Sequence, residues 1–200
     1  QEKHPRSLSA LKLVSCGGSM VAPELVRRVR SLMGAEFSTL YGQTEHCPVI
    51  TQHHRQDAID DICNTAGQPV AQTEVSIRSV EGNHAVTIGT VGEICARGPC
   101  VMLEYNDDPK ATSETVDTDG WLHTGDLGRM DARGYISITG RVKEMIIRGG
   151  ENHFPAEIEN CLLEHAEVAE VAVVGLPDSK WGEVIGAFIR STGVLDKGAL

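Results

Sequence analysis

Tyr41-Gly42-Gln43-Thr44-Glu45 combines groups that a nucleotide phosphate site needs. An aromatic ring can stack on a base, and a glycine lets the backbone approach closely. A hydroxyl can donate to a phosphate oxygen, and a carboxylate can hold Mg2+. The same five residues also suit an ordinary loop at the end of a strand. Trp121-Leu-His-Thr124-Gly125-Asp126 adds a carboxylate at a glycine turn. A carboxylate can accept from two adjacent hydroxyls, which is how acidic residues grip ribose; an aspartate there is equally a plain turn former. Gly140-Arg141-Val142-Lys143-Glu144, followed by Ile147-Arg148-Gly149-Gly150-Glu151-Asn152, is denser in charge. Arg141 offers a planar fork for phosphate or ribose oxygens, and Gly149-Gly150 supplies positive φ and lateral room. Charges framing Met145-Ile146-Ile147 also fit a surface strand.

The elements that must carry these groups follow from periodicity. Leu11–Cys16 reads as a buried strand, followed by a turn at Gly17-Gly18-Ser19 and a helix with Pro23 in its first turn. Leu25, Val26, Val29, Leu32 and Met33 give that helix one apolar face. Glu36–Leu40 is a second strand, and together these make a βαβ unit, whose ligands sit beyond the strand C-termini. Both polar turns, 17–19 and 41–45, fall there. From about Asp57 to Thr139 short strands take over: Glu74–Val80 with Val75 and Ile77 on one face, Val91–Arg97, and Leu127–Met130 turning at Asp131–Gly134 into Tyr135–Thr139. This antiparallel section is compatible with a small barrel. After Gly140 the pattern returns to α/β, with a helix from Pro155 carrying Ile158, Cys161 and Leu162, a run Val168–Val174 ended by Gly175 and Pro177, and another at Val184–Ile189. The expected fold class is α/β, with a boundary near Gly140–Lys143. Residues 1–140 would belong to one domain, β-rich from about residue 57, and 141–200 to a second.

Composition narrows the function. With 28 acidic against 18 basic residues the formal charge is -10, which excludes a broad nucleic-acid-binding surface. Small phosphates remain possible ligands, because backbone amides and one or two cations suffice. No apolar run approaches the ~20 residues that cross a bilayer, so no transmembrane segment is expected. Six scattered cysteines without a C-x-x-C pair, no secretory leader and no N-x-S/T sequon point to reduced thiols and a cytoplasmic setting. His46, His53 and His54 lie close in sequence but lack the tighter ligand spacing of a zinc site. The chain opens on Gln1 and stops at Gly198-Ala199-Leu200 without a cap, so both ends are expected to be cuts in a longer chain.

In this order the turns resemble one family. Ser15-Cys-Gly-Gly-Ser19, Tyr41-Gly-Gln-Thr-Glu45, Gly92-Glu-Ile-Cys-Ala-Arg-Gly98, Gly120-Trp-Leu-His-Thr-Gly-Asp126 and the run from Gly140 to Asn152 are similar to successive core motifs of the adenylate-forming superfamily. Pro155-Ala-Glu-Ile-Glu159 and Leu176-Pro-Asp-Ser-Lys-Trp-Gly-Glu183 continue the match, which covers nearly the whole chain. The form around Gly149-Gly150-Glu151-Asn152 most resembles medium-chain and fatty acyl-CoA synthetases.

The resemblance implies a fold, a reaction and a set of roles. The chain would be the later part of a large α/β N-terminal domain with a β-rich subdomain, then a truncated small α/β C-terminal domain. The parent would activate a carboxylic acid, of fatty type, with ATP and Mg2+ through an acyl-adenylate, then pass it to coenzyme A. Adenylation for another acceptor, such as a carrier-protein thiol, and a non-catalytic nucleotide-binding module are the alternatives. Gly17, Gly18 and Ser19 match a loop bordering adenine and the acyl pocket, and Tyr41 matches the aromatic on adenine. Gly42, Gln43 and Thr44 belong to the nucleotide-binding turn, with Thr44 on phosphate and Glu45 as the magnesium carboxylate. Asp126 matches the ribose ligand and Arg141 a nucleotide-binding cation. Thr44, Glu45 and Arg141 would carry the catalytic charge stabilisation. Lys143 matches an interdomain hinge, and Gly150 a glycine beside the pantetheine channel. Gly42 is further expected to leave volume for substrate methylenes, because acetate-specific members resemble this pattern with tryptophan there. The family's phosphate loop and C-terminal lysine are not among these residues, so the 200-residue chain alone is expected to be inactive.

Overall fold

Residues 7–18 and 21–193 are described by a computed structural model. Strand β1 (Leu13–Gly17) leads to helix α1 (Pro23–Met33) and strand β2 (Glu36–Tyr41). Pro23 sits in the first turn of α1, where a missing N–H breaks no helical bond. Gly34, at φ 61°, ends it by donating its N–H to the Arg30 carbonyl at 3.1 Å. β1 and β2 are parallel, with Gly17 paired to Leu40, so the expected βαβ unit is present. The buried side of α1 is narrower than its apolar spacing suggested. Val26 and Val29 are buried and Met33 packs beside them, whereas Leu25 and Leu32 are 47% and 66% exposed. Positions 26, 29 and 33 share one stripe at helical spacing; 25 and 32 fall on its flank, beyond the reach of the sheet.

β2 continues antiparallel to β3 (Thr51–Gln52), which pairs with β4 (Gln68–Pro69), giving the sheet order β1-β2-β3-β4. Between β3 and β4 lies α2 (Ile59–Asn64), which puts Ile62 and Cys63 into one cluster with Val26, Val29 and Phe37. The strand texture expected from about residue 57 therefore opens on a helix, and the second sheet starts only at β5 (Glu74–Arg78).

That sheet adds β6 (Gly92–Arg97), β7 (Leu122–Met130) and β8 (Ile136–Arg141), in the order β5-β6-β7-β8. The order is linear, so the section is an open sheet rather than a closed barrel. Ile77, Ile94 and Ile136 form its core. Helix α3 (Pro109–Thr115), unforeseen from sequence, precedes β7; Asp108 caps it by accepting the Ala111 N–H at 2.9 Å. Asp131 makes the β7–β8 turn by accepting the N–H groups of Arg133 and Tyr135 at 2.8 and 2.9 Å. Trp121 is buried between two guanidinium groups, with Arg78 and Arg97 4.6 and 4.5 Å from its ring centre.

A third sheet holds β9 (Ile146–Arg148), β10 (Glu151–His153), β11 (Val168–Asp178) and β12 (Gly182–Ser191), in the order β10-β9-β12-β11. Helix α4 (Pro155–Leu163) precedes β11, and its Glu159 accepts the Val173 N–H at 2.8 Å. Cys161, expected on the apolar side of α4, is exposed. β11 runs through Gly175 and Pro177 instead of stopping there; as the edge strand it has one side without a ladder, where proline is tolerated. The described residues divide into two compact units, one reaching to Thr124 with Gly128–Ile138, the other comprising Gly125–Leu127 and the residues from Thr139 onward. Among the described residues no helix is long and apolar enough to cross a membrane.

Candidate functional site

The register of β1 against β2 decides what can meet at the edge of the first sheet. Pairing Gly17 with Leu40 brings the Gly17-Gly18 turn alongside Tyr41-Gly42 at the carboxyl ends of two parallel strands. Gly18 has φ 85°, a left-handed conformation suited to glycine. Ser19 lies outside the described residues. The room over Gly42 is already taken by backbone. A Cβ at position 42 would lie 1.9 Å from the Pro48 carbonyl oxygen and 2.9 Å from the Ile50 nitrogen. The Ile50 N–H donates to the Tyr41 carbonyl at 2.8 Å, which draws the returning chain onto the glycine. Gly42 thus serves this close approach, and the expectation that it leaves volume for substrate methylenes is corrected.

Tyr41 is partly buried and packs against the Ile77–Ile94–Ile136 cluster. Gln43 is extended and leads into a 3-10 turn over Thr44–His46, closed by the Cys47 N–H on the Thr44 carbonyl at 3.1 Å. Thr44 is exposed. Glu45 is half-buried; its Oε1 accepts from the Tyr105 hydroxyl at 2.8 Å, and its carbonyl accepts the Met102 N–H at 2.8 Å. Among the described residues no Lys, Arg or His forms an ion pair with Glu45. A carboxylate held by a neutral donor, with no side-chain cation competing for it, is suited to a divalent cation. The bond to that carboxylate, with burial behind it, raises the Tyr105 phenol above its ordinary pKa. Sequence reasoning missed Tyr105, which lies sixty residues from its partner, |i−j|=60. Only the fold, bringing the loop after β6 back to the 3-10 turn, could reveal the pair.

Asp126 lies inside β7 and not at a turn, although Gly125 before it has φ 72°. Its Oδ1 meets Arg141 Nε at 3.1 Å; the aspartate side chain is 13% exposed and the arginine 56%. Two residues singled out from separate motifs are therefore in contact. Lys143 is exposed in a 3-10 turn over Val142–Glu144. Gly149 and Gly150, at φ 62° and 89°, form the two-residue turn joining β9 to β10, with Arg148 opposite Glu151.

The histidines near the first turn are structural. His46 is buried, with Nδ1 3.1 Å from the Val49 carbonyl. His53 ties three elements together: Nδ1 is 2.6 Å from Thr39 Oγ1 of β2, and Nε2 is 2.8 Å from Thr65 Oγ1 and 3.1 Å from the Asp61 carbonyl of α2. Burial lowers its pKa. A different set of metal-capable groups, Glu93, Cys95 and His123, lies within 4.8 Å. There each imidazole nitrogen already faces a carboxylate, Glu93 at 2.7 Å and Asp117 at 3.6 Å. Burial pushes the Cys95 thiol up to about 12, so the group reads as an imidazole held between carboxylates beside a protonated thiol.

Residues 1–106 match the family model described as AMP-binding enzyme, and residues 157–198 match the AMP-binding enzyme C-terminal domain. The chain is 45% identical over 183 residues, 91% of its own length, to a propanoyl:CoA ligase of Rhodococcus jostii (strain RHA1) whose acid carries a methyl-dioxo-octahydroindenyl group. It is 41% identical over 180 residues, 88% of its length, to a mitochondrial medium-chain acyl-CoA ligase of Homo sapiens. It spans about a third of the length of these curated relatives, 33% and 29% respectively. Among solved structures, ATP-bound MatB from Rhodopseudomonas palustris superimposes with a TM-score of 0.80 at 28% identity, covering 92% of this chain and 36% of that one.

Proposed function

The chain belongs to the AMP-binding enzyme family, and we propose that it forms part of an ATP-dependent acyl-CoA synthetase acting on a medium-length fatty acid. The observation that carries this reading is the edge of the first sheet, where two parallel strands end side by side in Gly17-Gly18 and Tyr41–Glu45. In the first unit, Tyr41 would flank adenine, with Gly17, Gly18 and Ser19 bordering it. Gly42 would let Gln43 and Thr44 approach the phosphates, and Glu45 would hold Mg2+. When bound, that ion would neutralise phosphate charge. In the second unit, Asp126 would accept from the ribose hydroxyls, oriented by the Arg141 contact at 3.1 Å. Lys143 is proposed as a hinge, and Gly150, where among the described residues no heavy atom beyond its chain neighbours lies within 4 Å of a Cβ placed there, as a border of the pantetheine path.

The reaction needs no protein nucleophile. A carboxylate oxygen attacks the α-phosphorus of ATP and the bond to the β-phosphate breaks, giving acyl-adenylate and pyrophosphate. The thiol sulfur of coenzyme A then attacks the acyl carbon, the thiol proton is lost, and AMP leaves. The side chains bind, orient and stabilise charge, which can supply a large share of the rate. The test is exchange of labelled pyrophosphate into ATP by the complete protein across a series of acids. Exchange that requires an added acid, and is faster with octanoate than with acetate, is expected. Exchange without any acid, or only with amino acids, would overturn the assignment.

A further inference from the structure

We propose that Tyr105 is a positioning residue for the divalent cation, acting through Glu45. The inference rests on the reading of Glu45 as the metal carboxylate. Its phenol donates to Glu45 Oε1 at 2.8 Å, which fixes the direction of one carboxylate oxygen. The main chain is pinned as well, because the Met102 N–H donates to the Glu45 carbonyl at 2.8 Å. Tyr105 is itself held: its N–H donates to Thr112 Oγ1 at 2.9 Å, and that hydroxyl donates to the Asp108 carbonyl at 2.8 Å. Asp108 caps α3 through Ala111. A relay thus runs from the first turn of α3 through Tyr105 to Glu45, across a chain separation of |i−j|=60.

The chemistry favours a phenol in this place. A lysine or arginine would neutralise the carboxylate and compete with a cation, whereas a phenol orients it and leaves its charge in place. Hydrogen bonds of this kind to a metal-binding carboxylate are worth on the order of ten- to a hundredfold in metal affinity.

The experiment measures Mn2+ binding to the complete protein with ATP present, by the loss of the free-ion electron paramagnetic resonance signal, and ATP binding in chelator by calorimetry. Tyr105→Phe keeps the ring and removes only the hydroxyl. It should weaken Mn2+ by about tenfold and leave chelated ATP binding unchanged. Thr112→Val, which loosens the Tyr105 main chain, should shift Mn2+ affinity the same way by less, and it carries the test if Tyr105→Phe fails to fold. Glu45→Gln separates the two layers. If Glu45→Gln weakens Mn2+ while Tyr105→Phe and Thr112→Val bind it as the wild type does, the positioning role is overturned and the Glu45 assignment stands. If Glu45→Gln itself leaves Mn2+ affinity unchanged, the assignment of Glu45 falls and the role of Tyr105 with it. Equal weakening of chelated ATP and of Mn2+ by Tyr105→Phe would reduce the tyrosine to a packing residue.

Discussion

Asp126 Oδ1 meets Arg141 Nε at 3.1 Å, and the arginine is more than half exposed. Such a pair contributes little stability, on the order of 0–1 kcal/mol. Asp126→Ala in the complete protein is expected to leave the fold intact. ATP binding should weaken by about tenfold or more, because charge-assisted bonds to hydroxyls are worth roughly 1.5–3 kcal/mol. Unchanged ATP affinity by calorimetry would contradict the ribose role of Asp126. Gly42 makes the opposite prediction. With the Pro48 carbonyl 1.9 Å from the place a Cβ would occupy, even Gly42→Ala must move the chain between Gly42 and Ile50. A stability loss of about 1–3 kcal/mol is expected in denaturant titration, and Gly42→Trp should lose activity on every acid in proportion. Retained stability would restore the open-volume reading. The local chemistry of 41–45 was legible in the sequence because the residues are consecutive. The crowding over Gly42 and the Tyr105–Glu45 bond were not, since each depends on where a distant or returning segment lies.

At the level of elements, β2, β3 and α2 are joined through the buried ring of His53. Burial penalises the imidazolium, so the folded pKa lies below the 6.5 of an unperturbed histidine. Well above pH 6.5 the ring is neutral in both states and adds no pH slope. As pH falls below that value the unfolded chain takes up the proton first, and stability is lost until the pH passes the lower folded pKa. Melting temperatures measured from about pH 7.5 to about pH 5.5 should fall more steeply for the wild type than for His53→Gln; parallel slopes would contradict this. Trp121, clamped between Arg78 and Arg97, should cost about 3–5 kcal/mol on Trp121→Ala, and a loss below about 1 kcal/mol in denaturant titration would show the clamp to be incidental. The βαβ unit and the β5, β6 and β8 strands were readable from periodicity. The flank positions Leu25 and Leu32, the passage of β11 through Pro177 and the placement of Asp126 inside β7 were not. Apolar spacing does not say how wide a neighbouring surface is, and proline or glycine marks a break only where a ladder needs the N–H or the twist.

For the molecule as a whole, the order of motifs in the sequence carried the family, and the matches at 1–106 and 157–198 agree with it. The acid was less legible: relatives at 45% and 41% identity are named for a bicyclic propanoate and for medium-chain acids. What separates the proposed chemistry from its alternatives is the fate of ATP and the identity of the thiol. The most direct measurement is the product balance of the complete protein with octanoate, ATP, Mg2+ and coenzyme A, resolved by liquid chromatography and mass spectrometry. The account predicts octanoyl-CoA, AMP and pyrophosphate in equal amounts, with no AMP accumulating beyond enzyme stoichiometry when coenzyme A is withheld. ADP and phosphate as products, AMP release indifferent to coenzyme A, or nucleotide binding with no turnover at all would contradict it.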